Sequence, residues 1–212
     1  MFNNFKKILI LAPHTDDGEI GCGGTIAKLQ AAKKTIFYVA FSTCKESLPK
    51  NLPKDTLKKE LIGAASILNI KKNNLIILDY PVRYFPENRQ SILEKLITLR
   101  KDINPDLVFM PSLHDIHQDH LTIAQEGLRA FKHVSILGYE DPWNMLTFDT
   151  TCFVHLSEKE IKIKIKAIQQ YKSQNDKLYT KEKFIKGLAH TRGVQIGLEY
   201  AEAFEVVRWI IN

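Results

Sequence analysis

The sequence predicts an α/β fold in which a mostly parallel, twisted β-sheet lies between two layers of helices. Apolar runs of strand length alternate with segments of helical period, which is the pattern of a sheet covered by helices on both faces. The length of 212 residues suits one compact domain with a large buried core, here residues 1–212. Hydrophobic residues make up 44% and charged residues 25%, so the composition is that of a globular protein.

The elements of the first half each have a local signal. The strands are short apolar runs, at residues 7–12, 36–41 and 74–78. The helices are residues 21–33, 56–68 and 90–101. In the second helix the apolar side chains fall on one face, at Leu57, Leu61, Ala64, Ala65 and Leu68. The third helix must end before Asn104 and Pro105, because proline disfavours a helical conformation in the residue before it.

The second half continues the alternation. Buried strands are predicted at residues 107–110 and 135–138, and a short strand at residues 152–155. Helices are predicted directly after residue 120, at residues 158–171 and at residues 181–188. The closing segment, residues 200–211, alternates polar and apolar side chains and predicts an edge strand.

The order of the strands follows from a doubly wound arrangement, which gives a Rossmann-like three-layer fold. The expected order is 3-2-1-4-5, so strands one and four are neighbours at the switch point. Loops after these two strands then open into one crevice at the carboxyl edge of the sheet, where ligands of open α/β sheets bind. Functional residues are therefore expected in the loops after residues 12 and 110.

Composition argues against several other classes of protein. No apolar run reaches the roughly 20 residues of a membrane-spanning helix, and the first residues lack the cleavage site of a signal peptide. The three cysteines have no CxxC spacing, which indicates a reducing compartment and predicts a cytoplasmic protein. The net charge is +6, but the lysines are spread over amphipathic helices as a solvated basic surface, as at Lys159, Lys162, Lys164 and Lys166. Nucleic acid is therefore not an expected partner, whereas an anionic or phosphate-bearing substrate is compatible with this charge.

The first candidate site is residues 12–19, APHTDDGE, directly after strand one. It places His14, Asp16 and Asp17 at the carboxyl edge of the sheet, and an imidazole with a carboxylate is half of a zinc site. Alternatively, Asp16 or Asp17 caps the following helix, with Glu19 favoured by the helix dipole. The segment alone leaves both interpretations open.

The second candidate site is residues 112–120, SLHDIHQDH, directly after strand four. Three of the seven histidines lie here, at His114, His117 and His120, which favours a functional cluster over isolated structural histidines. Asp119 alternatively caps the next helix. Because strands one and four are neighbours, both segments would meet over one site, and three protein ligands with an open fourth position are typical of catalytic zinc.

Together these motifs resemble those of the LmbE-like or PIG-L family of zinc-dependent N-deacetylases. That family has His-Pro-Asp-Asp-Glu before a glycine-rich helix and later His-x-Asp-His, and this chain has HTDDGEIGCGG at residues 14–24 and HQDH at residues 117–120. Further matching stretches are YKSQ at 171–174, RG at 192–193 and YAEAF at 200–204. The resemblance implies hydrolysis of the N-acetyl group of an N-acetylglucosamine-type sugar or glycoconjugate, which releases acetate and an amino sugar.

The resemblance also implies roles for the matched residues. Zinc, or another divalent metal, would be held by His14, Asp17 and His120. Asp16 would be the general base that takes a proton from water and returns it to the leaving amine. His117, if cationic, would stabilise the oxyanion of the tetrahedral intermediate, with Asp119 in support of His117. Several relatives form trimers or hexamers, so a homo-oligomer is compatible with the family.

The chain departs from the family pattern in three places. Thr15 replaces the usual proline, which predicts a looser loop. Gly18 stands where many members have glutamate, and Glu19 follows it. Leu57 stands near the position of an arginine that contacts substrate in many relatives, so this contact is missing or moved.

Candidate substrate contacts lie in two other loops. Arg83 and Arg89, after strand three, are candidates to replace the missing arginine, or they are solvated surface charges. Trp143, after strand five, is a candidate to stack on a sugar ring, or it anchors its loop by packing. Arg192 and Glu202 lie in stretches that match the family, without an assigned role.

Two other functions fit parts of the sequence. Gly21, Gly23 and Gly24 suggest a nucleotide-binding glycine motif, but the third glycine that this motif requires is replaced by Ile26. The resemblance instead implies that the glycines let the helix approach the sheet closely. The second alternative is an inactive metal-binding module. Asp16 and His117 argue against it, because a structural zinc site needs neither.

Overall fold

The computed structural model describes residues 4–211 and contains seven strands and six α-helices in this range. The strands are Lys7–Ala12 (β1), Thr35–Ala40 (β2), Leu75–Ile77 (β3), Leu107–Pro111 (β4), Ser135–Tyr139 (β5), Cys152–Leu156 (β6) and Tyr200–Arg208 (β7). The helices are Asp17–Ala31 (α1), Thr56–Ile67 (α2), Arg89–Ile103 (α3), Gln118–Ala130 (α4), Glu158–Ile168 (α5) and Glu182–Val194 (α6).

The strands form one sheet with the order β3-β2-β1-β4-β5-β7-β6. β1 to β5 are parallel, and β7 is antiparallel to both of its neighbours. The predicted fold class is confirmed, including the order 3-2-1-4-5 and the switch point between β1 and β4.

Two layers of helices cover the sheet because successive side chains of a strand point to opposite faces. In β1, Ile8 and Ile10 pack with side chains of α1, α2, α5 and α6. Leu9 and Leu11 pack on the other face with side chains of α3 and α4. Burial on both faces explains why β1 is a continuous apolar run rather than an alternating one.

The start of α1 and the position of β7 in the sheet differ from the prediction in ways that matter for the site. α1 begins at Asp17, four residues before the predicted start, so the aspartates of the first motif lie at the helix N-terminus. β7 lies between β5 and β6, so the prediction of an edge strand at residues 200–211 is wrong. Glu202 and Glu205, two polar residues of this segment, are only 6% and 7% exposed and have partners inside the protein.

The remaining elements agree with the prediction to within a few residues, although α6 continues to Val194. None of the helices within residues 4–211 has the length and apolar character needed to cross a membrane.

Candidate active site

Two loops at the carboxyl ends of β1 and β4 form the centre of the site. β1 pairs directly with β4, which brings His14 and His120 together although they are 106 residues apart. A crevice of about 530 Å³ lies over these residues. The prediction that the two motifs lie over one site is therefore confirmed.

Three potential ligand atoms converge in the floor of the crevice. Nδ1 of His14 lies 3.2 Å from Oδ2 of Asp17, and Nε2 of His120 lies 3.3 Å from the same oxygen. The two ring nitrogens are 3.2 Å apart. With zinc bonds of about 2.0–2.2 Å, tetrahedral geometry separates ligand atoms by about 3.3 Å. The three side chains therefore fit three positions of a tetrahedral zinc site.

Two other sets of three side chains place their ligand atoms within 4.8 Å of one another. One set is His14, His117 and His120, and the other is Asp17, His120 and Asp141. Nδ1 of His117 already accepts a backbone hydrogen bond at 3.1 Å. Asp141 lies 3.4 Å from Nδ1 of His120, whereas His14 and Asp17 contact the other ring nitrogen, Nε2. The combination of His14, Asp17 and His120 is the one in which all three atoms face each other at close range.

Buried carboxylates orient both imidazoles. Oδ2 of Asp119 lies 3.0 Å from Nε2 of His14, and Oδ2 of Asp115 lies 2.7 Å from Nδ1 of His120. Each carboxylate accepts the N–H on the far side of its ring, which leaves the other ring nitrogen free to bind a metal. The resemblance implies that Asp119 supports His117, whereas its carboxylate contacts His14. Asp119 is therefore a positioning residue for a candidate metal ligand.

The same carboxylates shift the pKa of the two imidazoles. Burial opposes protonation of His14, but Asp17 and Asp119 outweigh it and raise its pKa to about 9. Burial also opposes protonation of His120, yet Asp17 and Asp115 raise its pKa well above the usual value. Since a metal ligand must be deprotonated, cation binding at this site is expected to release protons.

Asp16 and Asp17 have separate positions. Oδ2 of Asp17 accepts the backbone N–H of His14 at 2.8 Å. Asp16 occupies the N-cap position of α1 but forms no capping hydrogen bond, and it lines the crevice instead. Burial and the charge of Asp17 raise the pKa of Asp16 to about 6. A carboxylate with this pKa is suited to accept a proton near neutral pH.

His117 lies at the N-cap of α4 and lines the crevice. Its Nδ1 accepts the backbone N–H of Asp119 at 3.1 Å. Burial, together with His120 and His14, lowers its pKa. A nitrogen that accepts a backbone N–H carries no proton, so the ring is neutral rather than cationic and has its N–H at Nε2.

Buried hydrogen bonds hold the backbone of the first motif's loop in place. Thr15 is buried, and its carbonyl oxygen accepts hydrogen bonds from Tyr171 at 2.7 Å and Tyr38 at 3.1 Å. The carboxyl group of Glu19 contacts the same two hydroxyls, and burial raises its pKa to about 8. Two tyrosine hydroxyls thus hold the backbone at Thr15, and the looser loop expected from the loss of proline stays a prediction. Glu19 belongs to this support.

The glycines of α1 face the protein. A Cβ added to Gly21 would lie 2.3 Å from the ring of Tyr139 in β5, and one added to Gly24 would lie 2.4 Å from Leu156 in β6. These contacts confirm that the glycines let the helix approach the sheet closely. They are not the contacts of a nucleotide-binding loop.

The two candidate arginines lie in different surroundings. Arg83 lines the crevice, and its backbone N–H donates to Asp119 at 2.6 Å. Its φ of 72° is a strained left-handed conformation for a residue with a side chain. The structure does not bring Arg89 to the crevice, because its guanidinium pairs with buried Glu126 between α3 and α4.

Trp143 lines the crevice and stacks on Tyr179, with ring centroids 4.0 Å apart and planes inclined by 15°. Behind this loop, Arg192 donates two hydrogen bonds to Glu140, at 2.8 and 2.6 Å. Arg192 thus fixes α6 against the loop that follows β5.

Sequence reasoning missed Asp115 and Asp141, whose carboxylates lie beside His120, and Tyr179, which stacks on Trp143. Asp115 lies inside the histidine cluster, and this position was a usable signal. Asp141 and Tyr179 come to the site only through the folding of their loops. His114, the remaining histidine of the cluster, is exposed and does not line the crevice.

A sequence profile of the PIG-L family, described as GlcNAc-PI de-N-acetylase, matches residues 9–131, more than half of the chain. The chain belongs to the PIG-L family. The matched region contains both motifs of the site, so the resemblance inferred from them is confirmed.

Relatives of this PIG-L protein include proteins named as deacetylases. Diacetylchitobiose deacetylase of Thermococcus kodakarensis is 28% identical over 231 residues, which cover 97% of this chain and 85% of that protein. The structure of N,N'-diacetylchitobiose deacetylase from Pyrococcus horikoshii, in complex with its inhibitor MPG, matches with a TM-score of 0.81 and 26% identity, over 96% of this chain and 84% of that one. The structure of the conserved protein TT1542 from Thermus thermophilus matches with a TM-score of 0.79 and 25% identity, over 97% and 96%. Since deacetylases hydrolyse amide C–N bonds, the predicted enzyme class is confirmed.

Proposed function

We propose that this PIG-L protein is a zinc-dependent N-deacetylase that removes the acetyl group of an N-acetylglucosamine-type sugar or glycoconjugate. The observation that carries the proposal is the convergence of His14, Asp17 and His120, whose ligand atoms are 3.2–3.3 Å apart. Asp16 and His117 line the same crevice. Two relatives that deacetylate diacetylchitobiose support an acetylated sugar as the substrate.

The donor set fits zinc, because two imidazoles and a carboxylate are ligands that this ion prefers. Asp119 and Asp115 hold the imidazoles in the required orientation. When bound, zinc supplies a Lewis acid that acidifies water and polarises a carbonyl group. Another divalent metal of similar preference would be held by the same three residues.

Asp16 and His117 then act on the amide from within the crevice. Asp16 takes the proton of the attacking water and delivers it to the nitrogen of the leaving amino sugar, so the C–N bond breaks and acetate is released. The Nε2–H of His117 donates a hydrogen bond to the carbonyl oxygen as negative charge develops on it. A neutral donor serves this purpose without adding a positive charge beside the metal site.

Arg83 and Trp143 are the proposed substrate contacts, because both line the crevice. Arg89 is left out, since its side chain pairs with Glu126 elsewhere. The proposal keeps the predicted cytoplasmic location and allows a homo-oligomer.

Metal analysis combined with acetate release tests the proposal. The protein is expected to hold one zinc ion per chain and to release acetate from N-acetylglucosamine conjugates, with activity lost on chelation and restored by zinc. Asp16→Asn should keep zinc while acetate release falls by about 10²–10⁴-fold. His120→Ala should lose the metal, whereas His114→Ala, in the same cluster but outside the crevice, should keep metal and activity.

Three outcomes would contradict parts of the proposal. Full zinc occupancy in His120→Ala would overturn the ligand set. Undiminished turnover in Asp16→Asn would overturn the general base. A zinc-loaded protein that releases no acetate from a panel of acetylated sugars would overturn the deacetylase activity.

A further inference from the structure

Helix α1 consists of two helical segments joined at Cys22, whose φ of −145° and ψ of 23° are not helical. Such a break leaves N–H and C=O groups on both sides without partners inside the helix. The first segment, residues 17–21, begins with Asp17 and is little more than one turn long. A single turn is not stable by itself. Its position must therefore be set by contacts from other elements.

A buried ion pair supplies partners at the break. Nζ of Lys164, on α5, donates to the carbonyl oxygen of Ile20 and to Oε1 of Glu202, both at 2.6 Å. Glu202, on β7, accepts the N–H of Gly24 at 2.9 Å and that of Thr25 at 2.6 Å. Lys164 therefore caps the end of the first segment, and Glu202 caps the beginning of the second.

The burial of this ion pair indicates that it does more than stabilise the fold. The side chains of Lys164 and Glu202 are each only 6% exposed. Removing two charges from water is unfavourable, and an apolar pair of similar size often stabilises a protein equally well. An apolar pair cannot bind the three backbone groups at the break. Holding the two segments of α1 in this geometry is what the ion pair adds.

The first segment is tightly enclosed, so a shift at one end is transmitted to the other. Gly21 packs so closely on Tyr139 that an added Cβ would lie 2.3 Å from the ring. Ile20, which Lys164 holds, lies one helical turn from Asp17. A displacement of the Ile20 backbone is therefore expected to move Asp17 as well.

We propose that Lys164 and Glu202 are positioning residues of the metal site, which hold the first segment of α1 so that Asp17 and Asp16 meet His14 and His120 in the observed geometry. This inference rests on the proposed zinc site. It gives Glu202 a role at the active site although it lies outside the crevice.

The double variant Lys164→Met/Glu202→Leu tests the proposal, because it removes both charges together and leaves no lone buried ion. It should fold with a moderately lowered melting temperature, because loss of the charge pair is by itself close to neutral but three backbone groups at the break lose their partners. Its zinc affinity, measured by chelator competition, should fall by about 10–100-fold, the range found when partners that orient metal ligands are removed. Leu96→Ala, in the core on the opposite face of the sheet, is the matched control. It should lower the melting temperature at least as much and bind zinc as the wild type does.

A folded double variant that binds zinc within about twofold of the wild type, well below the expected range, would overturn the proposal. If the double variant does not fold, Glu202→Gln keeps the size and one acceptor oxygen and should show a smaller loss of zinc affinity. Wild-type affinity in Glu202→Gln would then overturn the proposal. The wild type and His120→Ala are measured in parallel, because absence of zinc binding in the wild type would instead overturn the proposed zinc site.

Discussion

Two buried carboxylates, those of Asp115 and Asp141, face the same ring nitrogen of His120. Asp115 is hydrogen-bonded to Nδ1 at 2.7 Å, and Asp141 lies 3.4 Å from it. Neither oxygen of Asp141 has a hydrogen-bond partner within residues 4–211, and burial raises its pKa to about 7. Asp141 is therefore placed to accept the ring N–H whenever Asp115 does not.

This arrangement predicts that Asp115→Asn has only a small effect on zinc binding. The other oxygen of Asp115 accepts the backbone N–H of His117 at 2.8 Å. Asparagine has a single acceptor oxygen and can serve only one of the two donors. We expect it to keep the backbone donor, while the ring N–H of His120 turns to Asp141.

The predicted magnitudes follow from this exchange. Asp115→Asn and Asp141→Asn should each weaken zinc binding by less than about threefold, well under the loss expected for removing an orienting partner. The double variant leaves the ring without a carboxylate, so the loss should reach about 10–100-fold, or about 1.4–2.7 kcal/mol. The excess over the sum of the single variants measures the coupling of the two carboxylates.

Chelator competition on the folded proteins, with circular dichroism as the check on folding, provides the measurement. If Asp115→Asn alone weakens zinc binding as much as the double variant, Asp141 does not replace Asp115. Wild-type affinity in the double variant would show that neither carboxylate orients His120.

Two further predictions concern packing and the substrate. Gly21→Ala should destabilise the protein by about 1–3 kcal/mol, because the new methyl group would lie 2.3 Å from the ring of Tyr139. Gly187→Ala, in α6, should stabilise the protein by up to about 1 kcal/mol, because an added Cβ there has no other atom within 4 Å. Urea unfolding measures the free energy of unfolding of both variants. Equal effects of the two substitutions would contradict the packing argument. Trp143→Ala should raise KM by about tenfold with a smaller change in kcat, and Trp143→Phe should raise it less, because Trp143 lines the crevice and is not one of the three proposed metal ligands. Steady-state kinetics measure this, and a change confined to kcat would count against a binding role.

Much of the fold was predictable because a parallel sheet buried on both faces requires continuous apolar runs. The strand order then joined His14 and Asp17 to His120, which local sequence alone could not do. The sequence could not predict which side chains form buried contacts with residues far away in the chain. Lys164 lies among regularly spaced lysines that predict a solvated face, yet it is buried and paired with Glu202. A buried charge and a surface charge look the same until the element that covers them is known.

The start of α1 was missed for a related reason. Residues 14–19 contain a glycine and two adjacent aspartates, which are as typical of a loop as of a helix N-terminus. Tyr38 and Tyr171 fix this backbone from outside, through the carbonyl oxygen of Thr15. Neither tyrosine lies within twenty residues of Thr15, so no local pattern reveals the contact.

One carboxylate, that of Asp119, contacts both the proposed metal site and a wall of the crevice. It orients His14 and also accepts the backbone N–H groups of Arg83 and Phe85 at 2.6 and 3.2 Å. If the proposed substrate specificity is changed by exchanging the loop after β3, the new loop must present two N–H groups at the same positions, or the exchange will also disturb His14, a proposed metal ligand. The side chain of Arg83 can change freely in this respect, whereas the path of its backbone cannot.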